Sequence, residues 1–302
     1  MSSVQVELPA LFRAADEASK AAQTKHLRLV AAELWLLVAA ALLLSFDLTA
    51  MGLPRISQQL NAGLGMLCLG VSLVLTIVTL WAKYETTWYG ARSVAESVKS
   101  LSWKYMTSVE PFGSGLSVAD ADAVFRSNLT EIVSQHQVLL WAFDGTVGSG
   151  KQITAAMQAW RSADLEAKKQ GYLQLRIQDQ KDWYAARARQ GRDQSVKWLI
   201  LVAASQLLAI LAAAILMAVP DKGVNLTGLF TSLAAALVAW VQIKRHRELA
   251  HSYNIAAHEL GLIAERMPDV RTDHQLSDFV SDAESAISRE HVLWSVRRQA
   301  AE

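Results

Sequence analysis

Breakers are scarce in this chain: its 302 residues include only 5 prolines and 15 glycines. That leaves too few turn residues for a many-stranded β architecture and points to long helices. There is one cysteine, Cys68, inside an apolar run, so an intramolecular disulfide is excluded. Charge is thin as well, at 19% of residues with a net of +1. A nucleic-acid binder would show a basic stripe with a clear net excess, so no nucleic-acid partner is expected. What the chain has in quantity is apolar: 52% of residues are hydrophobic and the mean hydropathy is +0.19. A soluble domain of this size carries more charge and scatters its apolar residues more evenly.

The apolar residues fall in runs. Crossing the hydrocarbon core takes about 20 of them in a helix. Asn61 to Ala82, Trp198 to Pro220 and Gly223 to Ile243 contain no charged residue, and each is long enough. A fourth run, Leu29 to Phe46, contains Glu33 and ends just before Asp47. Glu33 is expected about one turn inside the boundary, where a carboxylate reaches headgroups; a charge at mid-helix would cost about 2.5–3.5 kcal/mol. A signal peptide is disfavoured by the long preceding segment with Glu7, Asp16 and Glu17. The predicted fold is an all-α integral membrane protein with four spans in two hairpins.

Lysine and arginine give the direction. There are four before the first span (Arg13, Lys20, Lys25 and Arg28), fifteen in the 83–197 connection and eight from Lys244 onward. The two hairpin loops hold only Arg55 and Lys222. By the positive-inside rule, both termini and the long connection are expected to be cytoplasmic, with both tight loops facing out. Trp35, Trp81, Trp198 and Trp240 lie near the inner span ends, as a one-sided interfacial belt would require.

Both halves repeat one plan: a hairpin, a charged helix continuing out of its second span, then a further helix. The hairpins share one orientation, so the repeats are parallel, about an axis along the membrane normal. The expected organisation is an N-terminal cytoplasmic segment (1–28), a first hairpin with its cytoplasmic helices (29–142), a linker (143–163) and a second such unit (164–302). After the second span Tyr84, Trp88, Ala91, Ala95, Val98, Ser102 and Tyr105 alternate at four and three. After the fourth, Leu249, Tyr253, Ala256, Leu260 and Ile263 do the same. Such stripes pack helix on helix. A last helix over Arg271 to Arg298 carries Leu276, Phe279, Ala283, Ile287 and Trp294 on one side. Glu290 falls on or beside that stripe and is expected to pair with an arginine of another cytoplasmic helix. Pro111-Phe112-Gly113-Ser114-Gly115 reads as a breaker between helices.

Several of these residues form a recognisable set. Trp88-Tyr89, Ala91-Arg92-Ser93-Val94-Ala95-Glu96-Ser97-Val98-Lys99, Trp103-Lys104-Tyr105 and Pro111-Phe112 resemble the SLATT family, two-transmembrane effector domains associated with SMODS and SLOG proteins. The second half is similar to another member, through Tyr172-Leu173, Asp179-Gln180, Trp183-Tyr184, Ile287-Ser288-Arg289-Glu290-His291 and Leu293-Trp294. The resemblance implies a membrane effector of a bacterial conflict or antiviral defence system, forming or opening a pore when triggered. It also implies a separate nucleotide-sensing or nucleotide-synthesising partner, unless the chain's own cytoplasmic helices sense the signal. Trp88, Tyr89, Glu96, Trp103, Trp183, Tyr184, Glu290, His291 and Trp294 are then candidates for cytoplasmic packing or sensing.

Gly145-Thr146-Val147-Gly148-Ser149-Gly150-Lys151 fits the first seven positions of a P-loop, but Gln152 stands where the magnesium-holding hydroxyl belongs. His246, His251 and His258 have spacings of five and seven, whereas zinc ligands on one helix face lie three or four apart. No cofactor, metal site or enzyme activity is expected. The informative polar residues lie inside the spans: Ser72, Thr76 and Thr79 on one face, with Ser205, Gln206 and Thr227 in the second hairpin. They either line a pore or let helices approach and hydrogen-bond. The leading expectation is a pore built as a homo-oligomer in the lipid bilayer, because four such apolar helices enclose little water alone. The alternatives are a small-solute transporter, which wants charged or broken helices at midplane, and a passive scaffold for a cytoplasmic partner.

Overall fold

The computed structural model describes residues 6–143, 150–219 and 224–299, with side-chain surroundings as far as Ser288. Most of the P-loop-like segment, loop residue Lys222, and the side chains of Glu290, His291 and Trp294 lie outside the described residues. Ten α-helices follow in order: α1 Ala10–Leu44, α2 Arg55–Ala82, α3 Tyr84–Thr107, α4 Val118–Gln135, α5 Ala155–Arg161, α6 Leu165–Tyr172, α7 Asp179–Ala218, α8 Leu226–Lys244, α9 His246–Glu265 and α10 Asp273–Gln299. A π-helical turn over Leu173–Gln178 joins α6 to α7. Among the described residues there is no strand, only an isolated bridge between Phe46 and Val224.

Local chemistry sets many of the helix ends. Ser117, Thr154, Asp164 and Asn225 each accept a backbone N–H of the first turn of α4, α5, α6 and α8. Ala10 and Leu11 of α1 donate to the Lys151 carbonyl and the Gln152 side-chain oxygen. Gln152, the residue that breaks the P-loop pattern, is thus a helix cap. The structure departs from the sequence reading at the inner ends of the spans. The first span of each hairpin is one unbroken helix with the charged residues before it, so α1 starts at Ala10 and α7 at Asp179. The second span does not run on into its charged helix. It stops at a single left-handed residue, Lys83 (φ 45°) after α2 and Arg245 (φ 46°) after α8. Neither residue is glycine, so each copy holds a backbone conformation disfavoured by its own Cβ.

The chain packs as two units, one from residues 24–84 and 189–250 and the other from 1–23, 85–188 and 251–302. The first is the hairpin unit. Its two spans in α1 and α2 meet where the Asn61 amide donates to the Leu43 carbonyl at 2.6 Å and where Gly65 lies against Leu44. The bridge between Phe46 and Val224, and the Asn225 N–H bond to the Ser45 carbonyl at 2.8 Å, bring the two hairpin loops side by side. Both hairpins therefore point the same way, as parallel repeats do. Four helices are long and apolar enough to cross a membrane. Their large side chains, among them Leu67, Leu73, Leu80, Ile200 and Ile215, stand exposed over the span surfaces. Such a continuous bare face belongs against lipid or another subunit, not water.

The second is the helical-core unit. The stripe on α3 buries Ala91, Ala95, Val98, Ser102 and Tyr105, and that on α10 buries Leu276, Phe279, Ala283 and Ile287. The Pro111–Gly115 breaker does more than turn the chain. Phe112 is fully buried between Tyr105 and Phe125, with ring centroids 5.6 and 5.9 Å away. The segment expected as a linker also carries packed structure, since Met157 and Arg161 of α5 are buried. The Arg161 guanidinium donates to the carbonyls of Tyr105, Phe112, Gly113 and Leu116 and sits over the Tyr105 ring.

Gly171 gives a sharp test of this packing. A Cβ there would lie 2.2 Å from the Trp160 ring, whereas one at Gly63 meets nothing within 4 Å. Gly171→Ala must displace an indole from a packed core and is expected to cost about 1–3 kcal/mol. Gly63→Ala is expected to leave stability unchanged or slightly raised. Melting of each variant in detergent checks the contrast; equal melting temperatures would show that the Gly171 contact is soft.

Candidate functional site

Two polar groupings stand out, one in each unit. In the hairpin unit, the face of α2 bearing Ser72, Thr76 and Thr79 points into protein. The Thr76 hydroxyl donates to Glu33 Oε1 at 2.7 Å and to the Ser72 carbonyl at 3.1 Å. Ser72 is buried, and Thr79 Oγ1 is buried without a partner among the described residues. This pairing places Glu33 beside a residue seven positions inside Lys83, so about 10 Å from the cationic end of α2 at 1.5 Å per residue. A carboxylate at this depth needs the hydroxyl donor that Thr76 supplies.

The second hairpin is arranged differently. Ser205 is buried and bonds back to the Val202 carbonyl of its own helix at 2.8 Å. Thr227 lies in the first turn of α8, its hydroxyl buried and without a partner among the described residues. Gln206 is exposed. It sits eight residues inside Trp198, about 12 Å along the helix, with an amide that finds no hydrogen bond among the described residues. Trp198 and Trp240 form a tilted pair with centroids 6.3 Å apart, and the Lys244 ammonium lies over the Trp240 ring. The polar residues in the spans thus divide into a strip turned toward the first span and an amide turned outward.

In the helical-core unit the sequence-selected aromatics differ in burial: Trp103 and Tyr184 are buried, and Trp183 is exposed. Trp103 is buried edge-on against Tyr172 at 5.6 Å, and Tyr184 is buried and stacked on Tyr253 at 5.6 Å. Trp183 is edge-on to the same Tyr253 and carries Arg187 over its face. Trp88 stacks on Tyr89 at 4.5 Å, and its carbonyl accepts from Ser19. Glu96 is buried and accepts from Arg92 at 2.7 Å.

At the centre of this unit lies a charge pair that the sequence reading passed over. Arg176 Nε and Nη2 donate to the two oxygens of Glu284 at 2.9 and 2.7 Å, and the Tyr172 hydroxyl donates to the same carboxylate at 2.9 Å. All three side chains are buried. The π-helical turn carries Arg176, and such widened turns recur at sites where a helix must aim a side chain off its regular course. Burial works against the Arg176 charge, but Glu284, its hydrogen bonds, Tyr172 and Glu96 together outweigh it and hold the pKa above the usual arginine value. Burial and the Glu284 charge push the Tyr172 phenol well up, so it stays a donor. Burial, then the neighbouring Arg176 charge, push the Lys99 ammonium down. One Arg176 nitrogen, Nη1, is buried with no acceptor among the described residues. The signal for Glu284 was present: it stands four residues after Val280 and three before Ile287, inside the apolar stripe of α10. Glu290, the acidic residue favoured from the sequence, lies one and a half turns further on.

The chain has counterparts among known sequence families. A family model for SMODS and SLOG-associating 2TM effector domain 3 matches residues 9–169. A second, for SMODS and SLOG-associating 2TM effector domain 1, matches residues 172–294. No curated protein and no solved structure matches the chain.

Proposed function

The chain belongs to the SLATT family, with two two-transmembrane effector domains in tandem, and on that premise we propose that it is a pore-forming membrane effector of a bacterial defence system. It acts as a homo-oligomer in the inner membrane, with both termini in the cytoplasm. Its trigger is a nucleotide or sensor signal received from a separate partner or by its own helical-core unit. The observation that carries this reading is Gln206. An amide exposed in mid-span has no partner in lipid, so in a bilayer it needs water or a second copy of the chain. The bare apolar faces of α1, α2 and α7 give such copies a surface on which to meet.

The test is ion flux from vesicles holding the purified protein, together with the mass of the assembled particle. Flux that starts on adding a nucleotide signal or partner, from an oligomer, is the expected result. Substrate-coupled counterflow would make the chain a transporter, and a silent monomer would leave a scaffold. Orientation has its own check. With Cys68 replaced by serine, cysteines at Arg55 and Asn225 are expected to label from the periplasm, and one at Lys104 is not. Labelling of Arg55 and Asn225 from opposite sides would overturn the topology.

A further inference from the structure

Beside the helix break after α8 lies a cleft of about 330 Å³ in the hairpin unit, lined by Ser195 and Trp198 of α7, Val241 and Gln242 of α8, and Arg245, His246, Arg247 and Glu248 at the break. It lies where the apolar run of each helix ends, since Trp198 begins one span and Lys244 closes the other. Gly191 brings α7 close to the first turn of α9: a Cβ there would be 3.0 Å from both the Ala250 Cβ and the His246 carbonyl oxygen.

The charge of this cleft is unbalanced. Its carboxylate, Glu248, is taken by Arg245, whose Nε lies 2.7 Å from Glu248 Oε2. Among the described residues no carboxylate pairs with Arg247, or with Lys197 and Lys244 beside the cleft. Lys244 rests its ammonium over the Trp240 ring, 5.4 Å from the centroid, and Trp198 stands 6.3 Å from Trp240. Arg245, Arg247, the Trp198 indole and Val241 line the cleft, with Lys244 and Trp240 next to the lining in sequence, and this set at the end of a span matches a ligand with a negative head and an apolar body. The volume falls at the low end of the range for small-ligand pockets, enough for a headgroup but not for a whole lipid.

We propose that this cleft binds the phosphate headgroup of an anionic phospholipid, with Arg247 and Lys244 on the phosphate, Gln242 donating from its amide, and Trp198 against the glycerol and first acyl carbons. General attraction of basic residues to an anionic membrane surface needs no cleft and has no particular address. This site has one. Arg245, one of its lining residues, is also the strained left-handed residue at the end of α8, so an occupant bears on the conformation of the break itself. The site does not depend on whether the protein conducts ions.

The experiment is native mass spectrometry of the full chain in detergent, titrated with phosphatidylglycerol or phosphatidylcholine. At equal concentration the phosphatidylglycerol adduct is expected to be at least tenfold more abundant. The double variant Lys244→Gln, Arg247→Gln is expected to lower it tenfold, while Lys104→Gln leaves it unchanged. Equal adducts of the two lipids, or an adduct indifferent to the double variant, would overturn the proposal. Full displacement by millimolar inorganic phosphate or a mononucleotide would reassign the cleft to a soluble anion and overturn it too. Should the double variant fail to fold, tryptophan quenching by brominated lipids decides. Brominated phosphatidylglycerol is expected to quench the wild type more than brominated phosphatidylcholine, with the excess lost in Trp198→Phe. Equal quenching would refute the site.

Discussion

Glu284→Ala is expected to lower the unfolding free energy by about 3–5 kcal/mol, the scale for breaking a buried ion pair from one side. The loss is large because of what remains. Arg176 would keep its charge in a buried site, and the Tyr172 hydroxyl would lose its acceptor at the same moment. Arg176 already holds one nitrogen without an acceptor, so it has no spare bond to fall back on. Glu284→Gln keeps the shape and removes the charge, and is expected to recover only part of the loss. The double variant Arg176→Met, Glu284→Leu removes both charges and is expected to return within about 1–2 kcal/mol of the wild type, as apolar replacements of buried pairs do. Denaturant titration of the detergent-solubilised protein measures all four. A Glu284→Ala protein within 1 kcal/mol of wild type would mean that water reaches this pair and that the core opens there.

Gln206→Leu is expected to cut ion flux at least tenfold while leaving folding and oligomer size unchanged. Gln206 is exposed within the chain and its amide makes no hydrogen bond among the described residues, so leucine removes none. If the amide faces water in the assembled pathway, a ring of leucines in its place forms an apolar constriction, and such constrictions close by dewetting. Gln206→Asn keeps a shorter amide and is expected to conduct. The assay is flux from vesicles with matched protein content, read beside particle mass. Unchanged flux would take this face out of the pathway. A changed particle mass with normal flux per oligomer would make Gln206 an interhelical hydrogen-bonding residue instead. Thr76→Lys makes a useful companion. Its ammonium would meet Glu33, the partner of Thr76, so it is expected to insert without the full cost of a lipid-facing lysine.

Much of the architecture was legible in the sequence because membrane spans declare themselves by length and lack of charge. The stripe on α3 was legible because a four-three alternation of small and apolar residues packs one helix face, and that on α10 because its apolar residues recur three or four apart. The structure adds what depends on partners distant in the chain. Nothing local in Arg176 says that it is buried; that follows from Glu284, 108 positions away. Nothing local in Glu33 names its donor, which is Thr76, 43 positions on. Gln152 read as a defect in a phosphate loop, and its use as a cap for Leu11 required a fold that brings residues 141 apart together. The left-handed residues were equally hidden. Lys83 and Arg245 are ordinary helix formers, and a sequence reader runs the helix straight through them.

Those two residues give each repeat an asymmetric mechanical character. The first-span helices α1 and α7, 35 and 40 residues long and without interruption, behave as stiff rods. A push along either axis travels its whole length, on the order of 50–60 Å at 1.5 Å per residue. The second-span helices α2 and α8 each end in a joint one residue wide. Present once in each repeat, the arrangement sets one uninterrupted rod beside one helix that ends at a single left-handed residue.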